Sequence, residues 1–234
     1  MFIRRSITDV LMRRAKNSRC LLLTGPRQVG KSTLLKVIAG KLEPDRGEIF
    51  IQPGTKVAYM PQDPDFSGFA TLRDVVLAGL PADEHGLEYK ADILIEQLGI
   101  LEQQPVASAS GGEKRKAALA QALVSEPDIL LLDEPTKGLD SFFKRQLAGL
   151  LHRLMAEQGV TIVMVSHDVE FCAEYASSVS MFFDGQLLTT NTPRRFFAQN
   201  SFYTTAANRM SRHLFPQAVT AEDVVSLMKE NDLT

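Results

Sequence analysis

The sequence predicts an α/β fold in which a mostly parallel β-sheet is flanked by helices and interrupted by an inserted helical subdomain. Short apolar runs, of the length of strands buried on both faces of a sheet, alternate with helical patterns along the chain. A glycine-rich loop joins the first apolar run to the first helical pattern, and residues 63–125 read as mostly helical. This alternation is typical of a doubly wound α/β core.

The core is predicted at residues 1–62 and 126–190. Asp184-Gly185 predicts a tight hairpin turn near its end. The candidate strands are Cys20–Thr24, Ile129–Leu132, Val160–Val165 and Val179–Phe183, and the candidate helices are Lys31–Ala39, Phe142–Glu157 and Val169–Ala176. Each strand is bounded by polar or turn residues, so a single domain of 234 residues accounts for the whole pattern.

The helical subdomain is predicted at 63–125, with helices at Thr71–Leu80, Glu88–Leu98 and Glu113–Val124. Proline and glycine separate these three segments. The tail at 191–234 is predicted to be helical again, because Thr192-Pro193 and Thr220 are both suited to begin helices.

Composition excludes several classes of function. The formal net charge is −2, so there is no global electrostatic reason to expect direct contact with nucleic acid. Two cysteines, Cys20 and Cys172, lie far apart without metal-type spacing, which favours a reduced, cytoplasmic protein. No apolar run approaches the ~18–20 residues of a spanning helix. We therefore expect no transmembrane segment, and any membrane role requires a partner.

A phosphate-binding loop (P-loop) is the strongest motif. It follows an apolar strand and precedes a helix, which is the context that such a loop requires. The loop comprises Gly25, Pro26, Arg27, Gln28, Val29, Gly30, Lys31 and Ser32, with Thr33 next. Backbone N–H groups at a helix N-terminus favour anions, Lys31 is placed to neutralise phosphate charge, and Ser32 to bind Mg²⁺. The prediction is a P-loop NTPase.

Two acids end the strand at Ile129–Leu132. Asp133 stands at the strand tip, where it can reach Mg²⁺ directly or through water. Glu134 follows and is suited to act as the general base that polarises the attacking water.

Further stretches make the chain resemble the ABC ATPase superfamily. Ser110-Gly111-Gly112-Glu113 resembles the family signature and is also a capping box for the helix that follows. Gln62 resembles the switch glutamine, Gly138-Leu139-Asp140 the loop at the dimer interface, and Ser166-His167-Asp168 the switch histidine.

The resemblance implies that two protomers pair head to tail and bind ATP and Mg²⁺ between them. The first protomer supplies the phosphate loop and the second supplies Ser110 to Glu113 and Asp140. It further implies catalytic roles for Glu134, His167 and Gln62, with Gln62 also joining Ser32 and Asp133 as a metal ligand.

Three features depart from the family pattern. Only 24 residues precede Gly25, where the family carries an adenine-stacking aromatic, and Phe2 is the sole aromatic there, before an amphipathic helix predicted at Ile7–Lys16. Gln28 replaces a usual glycine, and Ala109 a usual leucine.

Parts of the chain resemble different ATPase groups, and three hypotheses follow. The first ~34 residues are similar to AAA-type ATPases, the middle to the ABC-F type, and the part after Asp133 to ATPases of energy-coupling-factor importers. The leading hypothesis is the ATPase subunit of a vitamin or metal importer, bound to a membrane transporter subunit on the cytoplasmic face. The alternatives are a ribosome-associated ABC-F-type protein and a composite chain that only binds ATP.

Overall fold

A computed structural model describes residues 20–26, 28–45, 48–81 and 86–231. Phe2, the helix predicted at Ile7–Lys16 and Arg27 lie outside these residues. The strands are β1 Cys20–Thr24, β2 Val57–Met60, β3 Ile129–Asp133, β4 Thr161–Val165, β5 Ser178–Phe183 and β6 Gln186–Asn191. The α-helices are α1 Lys31–Ile38, α2 Leu72–Leu77, α3 Glu88–Leu98, α4 Gly111–Leu123, α5 Ser141–Glu157, α6 Val169–Tyr175, α7 Pro193–Gln199, α8 Ala206–Ser211 and α9 Ala221–Glu230.

The six strands form one sheet in the order β2-β3-β4-β1-β5-β6. Strands β1 to β5 pair in parallel and β6 pairs antiparallel with β5, which confirms the predicted mostly parallel sheet. The register places Val165 beside both Leu23 and Asp133. The loops after β1, β3 and β4 therefore leave the sheet at the same edge, side by side.

Both faces of the sheet are buried, as the apolar strands predicted. Leu21 and Leu23 of β1 pack with Leu34 and Leu35 of α1 on one face, while Leu22 joins the larger core on the other. Burying such a side chain contributes about 1.5–3 kcal/mol relative to leaving it exposed. The packing of α1 on the sheet fixes where the loop before it stands.

Every regular element described between β2 and β3 is a helix. Helix α2 ends at Leu77, earlier than predicted, where the N–H groups of Gly79 and Leu80 donate to carbonyl oxygens three residues before them instead of four. Gly79 lies so close to α4 that a Cβ there would stand 2.0 Å from the Gln121 carbonyl oxygen. Helix α3 ends at Gly99, whose φ of 59° is left-handed. Helices α2, α3 and α4 pack against one another, which supports the proposal that 63–125 is a subdomain, and their buried apolar residues are continuous with the core on one face of the sheet.

The chain after β4 follows the predicted order of elements. Asp184-Gly185 turns β5 into β6, and α7 and α9 begin after Thr192 and Thr220. No helix in the described ranges is long and apolar enough to cross a bilayer.

Candidate nucleotide-binding site

The loop between β1 and α1 has the backbone geometry of a phosphate cradle. Gly25 has φ 146°, and a Cβ there would lie 2.1 Å from the carbonyl oxygen of Phe182 on the neighbouring strand. Only glycine fits at that position. Gly30 precedes α1 with φ 92°. Gln28, at the position where the sequence departs from the family, has φ 60°, a left-handed conformation that is unfavourable for a residue with a side chain.

Lys31 is the first residue of α1 and is 5% exposed. Its Nζ donates hydrogen bonds to the carbonyl oxygens of Gly25, at 3.0 Å, and Pro26, at 2.5 Å. Burial lowers the pKa of Lys31, and the carboxylates of Glu134 and Asp133 act in the opposite direction. The lysine thus lies folded over the loop, within the electrostatic reach of both acids.

Asp133, the last residue of β3, is a buried carboxylate. Ser32 shares a side-chain hydrogen bond with it, and the Tyr59 hydroxyl donates to its Oδ2 at 3.4 Å. Its buried Oδ1 has no hydrogen-bond partner among the described residues. Burial raises the pKa of Asp133. An unpaired carboxylate oxygen beside a serine hydroxyl is a donor set that suits Mg²⁺.

Glu134 lies one residue beyond the strand, with φ 52°. Its N–H donates to the Val165 carbonyl at 2.8 Å, and its Oε2 accepts the His167 N–H at 3.1 Å. Its Oε1 lies 3.5 Å from Nε2 of His167 and has no hydrogen-bond partner among the described residues. Burial raises the pKa of Glu134. A carboxylate with raised pKa and one oxygen that lacks a hydrogen-bond partner is suited to accept a proton from water.

Two basic residues near the site were missed by sequence reasoning. Arg115 of α4 is buried, and it donates to the carbonyl oxygens of Glu134 at 2.6 Å and Gln62 at 2.8 Å. Lys144 of α5 forms an ion pair with Asp168 at 2.5 Å. The sequence pattern could have predicted that Arg115 is buried. It precedes the buried positions 118, 119 and 122 by three, four and seven residues, which places it on the apolar face of its helix.

These loops enclose a cleft of about 780 Å³. Most of the predicted phosphate and catalytic residues line it together. The lining residues are Gln28, Val29, Gly30, Lys31, Ser32, Thr33, Gln62, Glu134, Thr136, Lys137, Gly138, Leu139, Lys144, Val165, His167 and Asp168. Gly25 and Pro26 lie beneath it, as the carbonyl partners of Lys31, and Asp133 lies beneath it as the partner of Ser32.

The family-signature residues lie outside this cleft. Ser110 is the exposed N-cap of α4, and it forms the predicted capping box: its hydroxyl accepts the Glu113 N–H and Glu113 accepts the Ser110 N–H. Gly111 and Gly112 are the first two residues of the helix. Asp140 caps α5 by accepting the Phe143 N–H at 2.7 Å, one residue beyond the lining. Ser110 to Glu113 and Asp140 therefore do not line the cleft that contains the phosphate loop of their own chain.

The chain belongs to the ABC transporter family, whose model matches residues 11–137, more than half of it. Members of this family bind and hydrolyse ATP.

Curated relatives agree with this assignment. The chain is 36% identical, over 93% of its length, to a Bacillus anthracis protein described as an ABC transporter ATP-binding protein, and it covers 42% of that protein. It is 33% identical over 94% of its length to one of Methanothermobacter thermautotrophicus and covers 82% of it. It is 37% identical over 78% of its length to the energy-coupling factor transporter ATP-binding protein EcfA2 of Latilactobacillus sakei, covering 70% of that chain. The chain spans only 39–42% of the length of the Bacillus relatives.

Solved structures share the fold. Clostridium perfringens cbiO1, part of the ABC transporter complex cbiONQ, is 27% identical with a TM-score of 0.65, over 86% of each chain. A dimeric bacterial ABC transporter cassette is 25% identical with a TM-score of 0.67, over 76% of this chain and 87% of that one.

Proposed function

We propose that this chain is the ATP-hydrolysing subunit of a membrane importer of the energy-coupling-factor type, for a vitamin or metal. It acts as a head-to-tail dimer with a second ABC protomer and binds a membrane transporter subunit on the cytoplasmic face. The observation that carries the ATPase proposal is the cleft lined by Lys31 and Glu134: the buried lysine, at a helix N-terminus, lies within electrostatic reach of the half-buried Glu134 and of the buried Asp133 beneath the cleft.

The phosphate chain of ATP is held by the N-terminus of α1. Backbone N–H groups of Gln28 to Thr33 and the Lys31 ammonium offset its negative charge. Arg27, outside the described residues, belongs to the same loop. Ser32, Asp133 and Gln62 would hold Mg²⁺, since each offers an oxygen ligand. When bound, this ion neutralises charge on the β- and γ-phosphate oxygens.

Glu134 accepts a proton from the water that attacks the γ-phosphate. Its Oε1 lies 3.5 Å from Nε2 of His167 and has no hydrogen-bond partner among the described residues, and the hydrogen bond from its backbone N–H to Val165 of β4 fixes the position of its backbone. The His167 side chain, 38% exposed, contacts the γ-phosphate from the cleft wall. A general base of this kind contributes ~10²–10⁴ in rate.

The second protomer completes each site. Ser110 is exposed at the N-terminus of α4, where unpaired N–H groups and the helix dipole favour an anion. Its own cleft does not include it, so the anion it meets is the γ-phosphate held by the facing protomer, beside Gly111, Gly112 and Glu113. Asp140 reaches the same interface. No nucleic acid is needed as a partner.

The importer assignment is supported by two relatives, EcfA2 and cbiO1, whose names place them in transporter complexes. Tagged chain, expressed in its host, is expected to fractionate with membranes and a membrane protein. Recovery with ribosomes would favour the ABC-F-type alternative. Recovery with neither would contradict both and leave only nucleotide binding.

The nucleotide site is tested by Lys31→Ala. Loss of the charge should weaken binding of fluorescent ATP with Mg²⁺ by about 10- to 100-fold. Lys41→Ala, which removes an equal charge from an exposed position just after α1, is the matched control and should bind like the wild type. Wild-type affinity of Lys31→Ala would contradict the phosphate-loop assignment.

A further inference from the structure

Arg115 is a buried cation, 8% exposed, at the centre of the contacts between three segments. It belongs to α4, five residues after Ser110. One guanidinium nitrogen donates to the carbonyl of Glu134, after β3, and the other to the carbonyl of Gln62, after β2. Buried arginine is rare unless it is well paired, and here the two hydrogen-bond partners are neutral backbone carbonyl oxygens.

The two hydrogen bonds require the planar guanidinium group of arginine. Nη1 and Nη2 point at carbonyl oxygens 2.6 and 2.8 Å away that belong to segments 72 residues apart in sequence. Lysine carries a single ammonium on a flexible stem and lacks this fixed geometry. The arrangement therefore depends on the guanidinium and not only on its charge.

Glu134 has a backbone conformation that must be held from outside. A left-handed non-glycine residue is strained and persists only when its surroundings fix it. Here β4 holds the N–H through Val165, and Arg115 holds the C=O. A shift of α4 relative to β3 would pull on one of these two bonds, and the direction of the Glu134 carboxylate would change with it.

Ser110 and Arg115 move together because they share a helix. Five residues rise about 7.5 Å along an α-helix, and the capping box fixes the first turn. The exposed N-terminus of α4 and the buried contact of Arg115 with the Glu134 carbonyl therefore belong to one rigid helix.

We propose that Arg115 is a positioning residue that couples the two ATP sites of the dimer. When Ser110 binds the γ-phosphate of the facing protomer, Arg115 transmits the position of α4 to the backbone of Glu134 and Gln62 in its own site. This inference rests on the proposed function, since it requires ATP hydrolysis by a head-to-tail dimer.

The test compares Arg115→Gln and Arg115→Lys with Lys116→Gln, which removes a charge from the next residue of the helix, over the Phe143 ring. ATP hydrolysis is measured against ATP concentration, and nucleotide affinity and melting temperature are measured separately. For Arg115→Gln we expect kcat to fall about 10- to 100-fold. The Hill coefficient should fall from about 2 toward about 1, the value for independent sites. Nucleotide affinity should remain within about threefold, because Lys31 and Ser32 are untouched. Lys116→Gln should keep wild-type cooperativity.

Unchanged cooperativity in Arg115→Gln would overturn the coupling, and so would an equal loss of cooperativity in Lys116→Gln. If Arg115→Gln does not fold, Arg115→Lys, which keeps the charge, decides in the same way: loss of cooperativity supports the coupling and wild-type cooperativity overturns it. A wild-type chain without ATP hydrolysis would instead overturn the proposed function, and the coupling with it.

Discussion

Replacing Glu134 by glutamine should abolish turnover while leaving the fold and ATP binding intact. The amide cannot take up a proton from water at neutral pH. Removal of a positioned general base lowers a rate by ~10²–10⁴, which corresponds to about 3–5 kcal/mol in the barrier.

The structure explains why the fold should tolerate this change. The amide oxygen of glutamine can accept the His167 N–H, as Oε2 does now at 3.1 Å, and its NH₂ group would replace Oε1 at 3.5 Å from Nε2. The backbone strain at φ 52° is the same for both side chains.

The loss of the negative charge should also favour the stability of Glu134→Gln. Burial raises the pKa of Glu134 in the folded chain, so the ionised carboxylate is less favourable there than in the unfolded chain. Above the unfolded-state pKa this lowers the stability of the wild type. We expect Glu134→Gln to melt at or above the wild-type temperature at neutral pH.

The rate of hydrolysis is measured by phosphate release, and the stability by thermal melting. Light scattering measures the mass of the protein with and without ATP. An ATP-bound dimer should accumulate in the variant, because hydrolysis no longer releases it. Glu157→Gln, at an exposed position near the end of α5, is the control and should behave like the wild type. Turnover within tenfold of the wild type would refute the assignment of the base and make His167 the next candidate.

Two further predictions concern the composite site and the nucleobase. Ser110→Arg should bind ATP but not hydrolyse it. Mixing it with Lys31→Ala should restore part of the activity, because one of the two sites in a mixed dimer then joins an intact Lys31 to an intact Ser110. Full activity of Ser110→Arg alone would contradict the composite site. In competition with GTP and CTP, ATP should be preferred by less than about tenfold, because no phenylalanine, tyrosine or tryptophan lines the cleft in the described part of the chain and stacking is worth ~1–3 kcal/mol. A larger preference would show that an aromatic, with Phe2 the first candidate, stacks on the base.

The elements that the sequence predicted best are those with a local cause. Helix α3 has its predicted bounds, Glu88–Leu98, since a left-handed glycine ends it. The phosphate loop was found because its glycine, lysine and serine stand at fixed spacing within eight consecutive residues, and Gly30 precedes α1 in a left-handed conformation that favours glycine. The mostly parallel sheet followed from apolar strands buried on both faces.

The unpredicted features depend on contacts between distant segments. Arg115 reaches carbonyl oxygens 19 and 53 residues away, and carbonyls are present at every residue, so no side-chain pattern marks them as partners. The left-handed conformation of Glu134 likewise depends on β4 and α4. The need for glycine at position 79 also depends on a distant segment, since a Cβ there would meet the Gln121 carbonyl oxygen of α4, some forty residues later.

The Ser110 hydroxyl can accept one hydrogen bond within the cap and donate a second one to a ligand at the same time. In the cap its oxygen accepts the Glu113 N–H, and the serine N–H is taken by the Glu113 carboxylate. A hydroxyl also carries one proton to donate, whereas phosphate oxygens only accept. Contact with a facing nucleotide would therefore add a bond without unwinding the first turn of α4. Association of two protomers would require no local melting there, which favours rapid, repeated closing and opening of the pair.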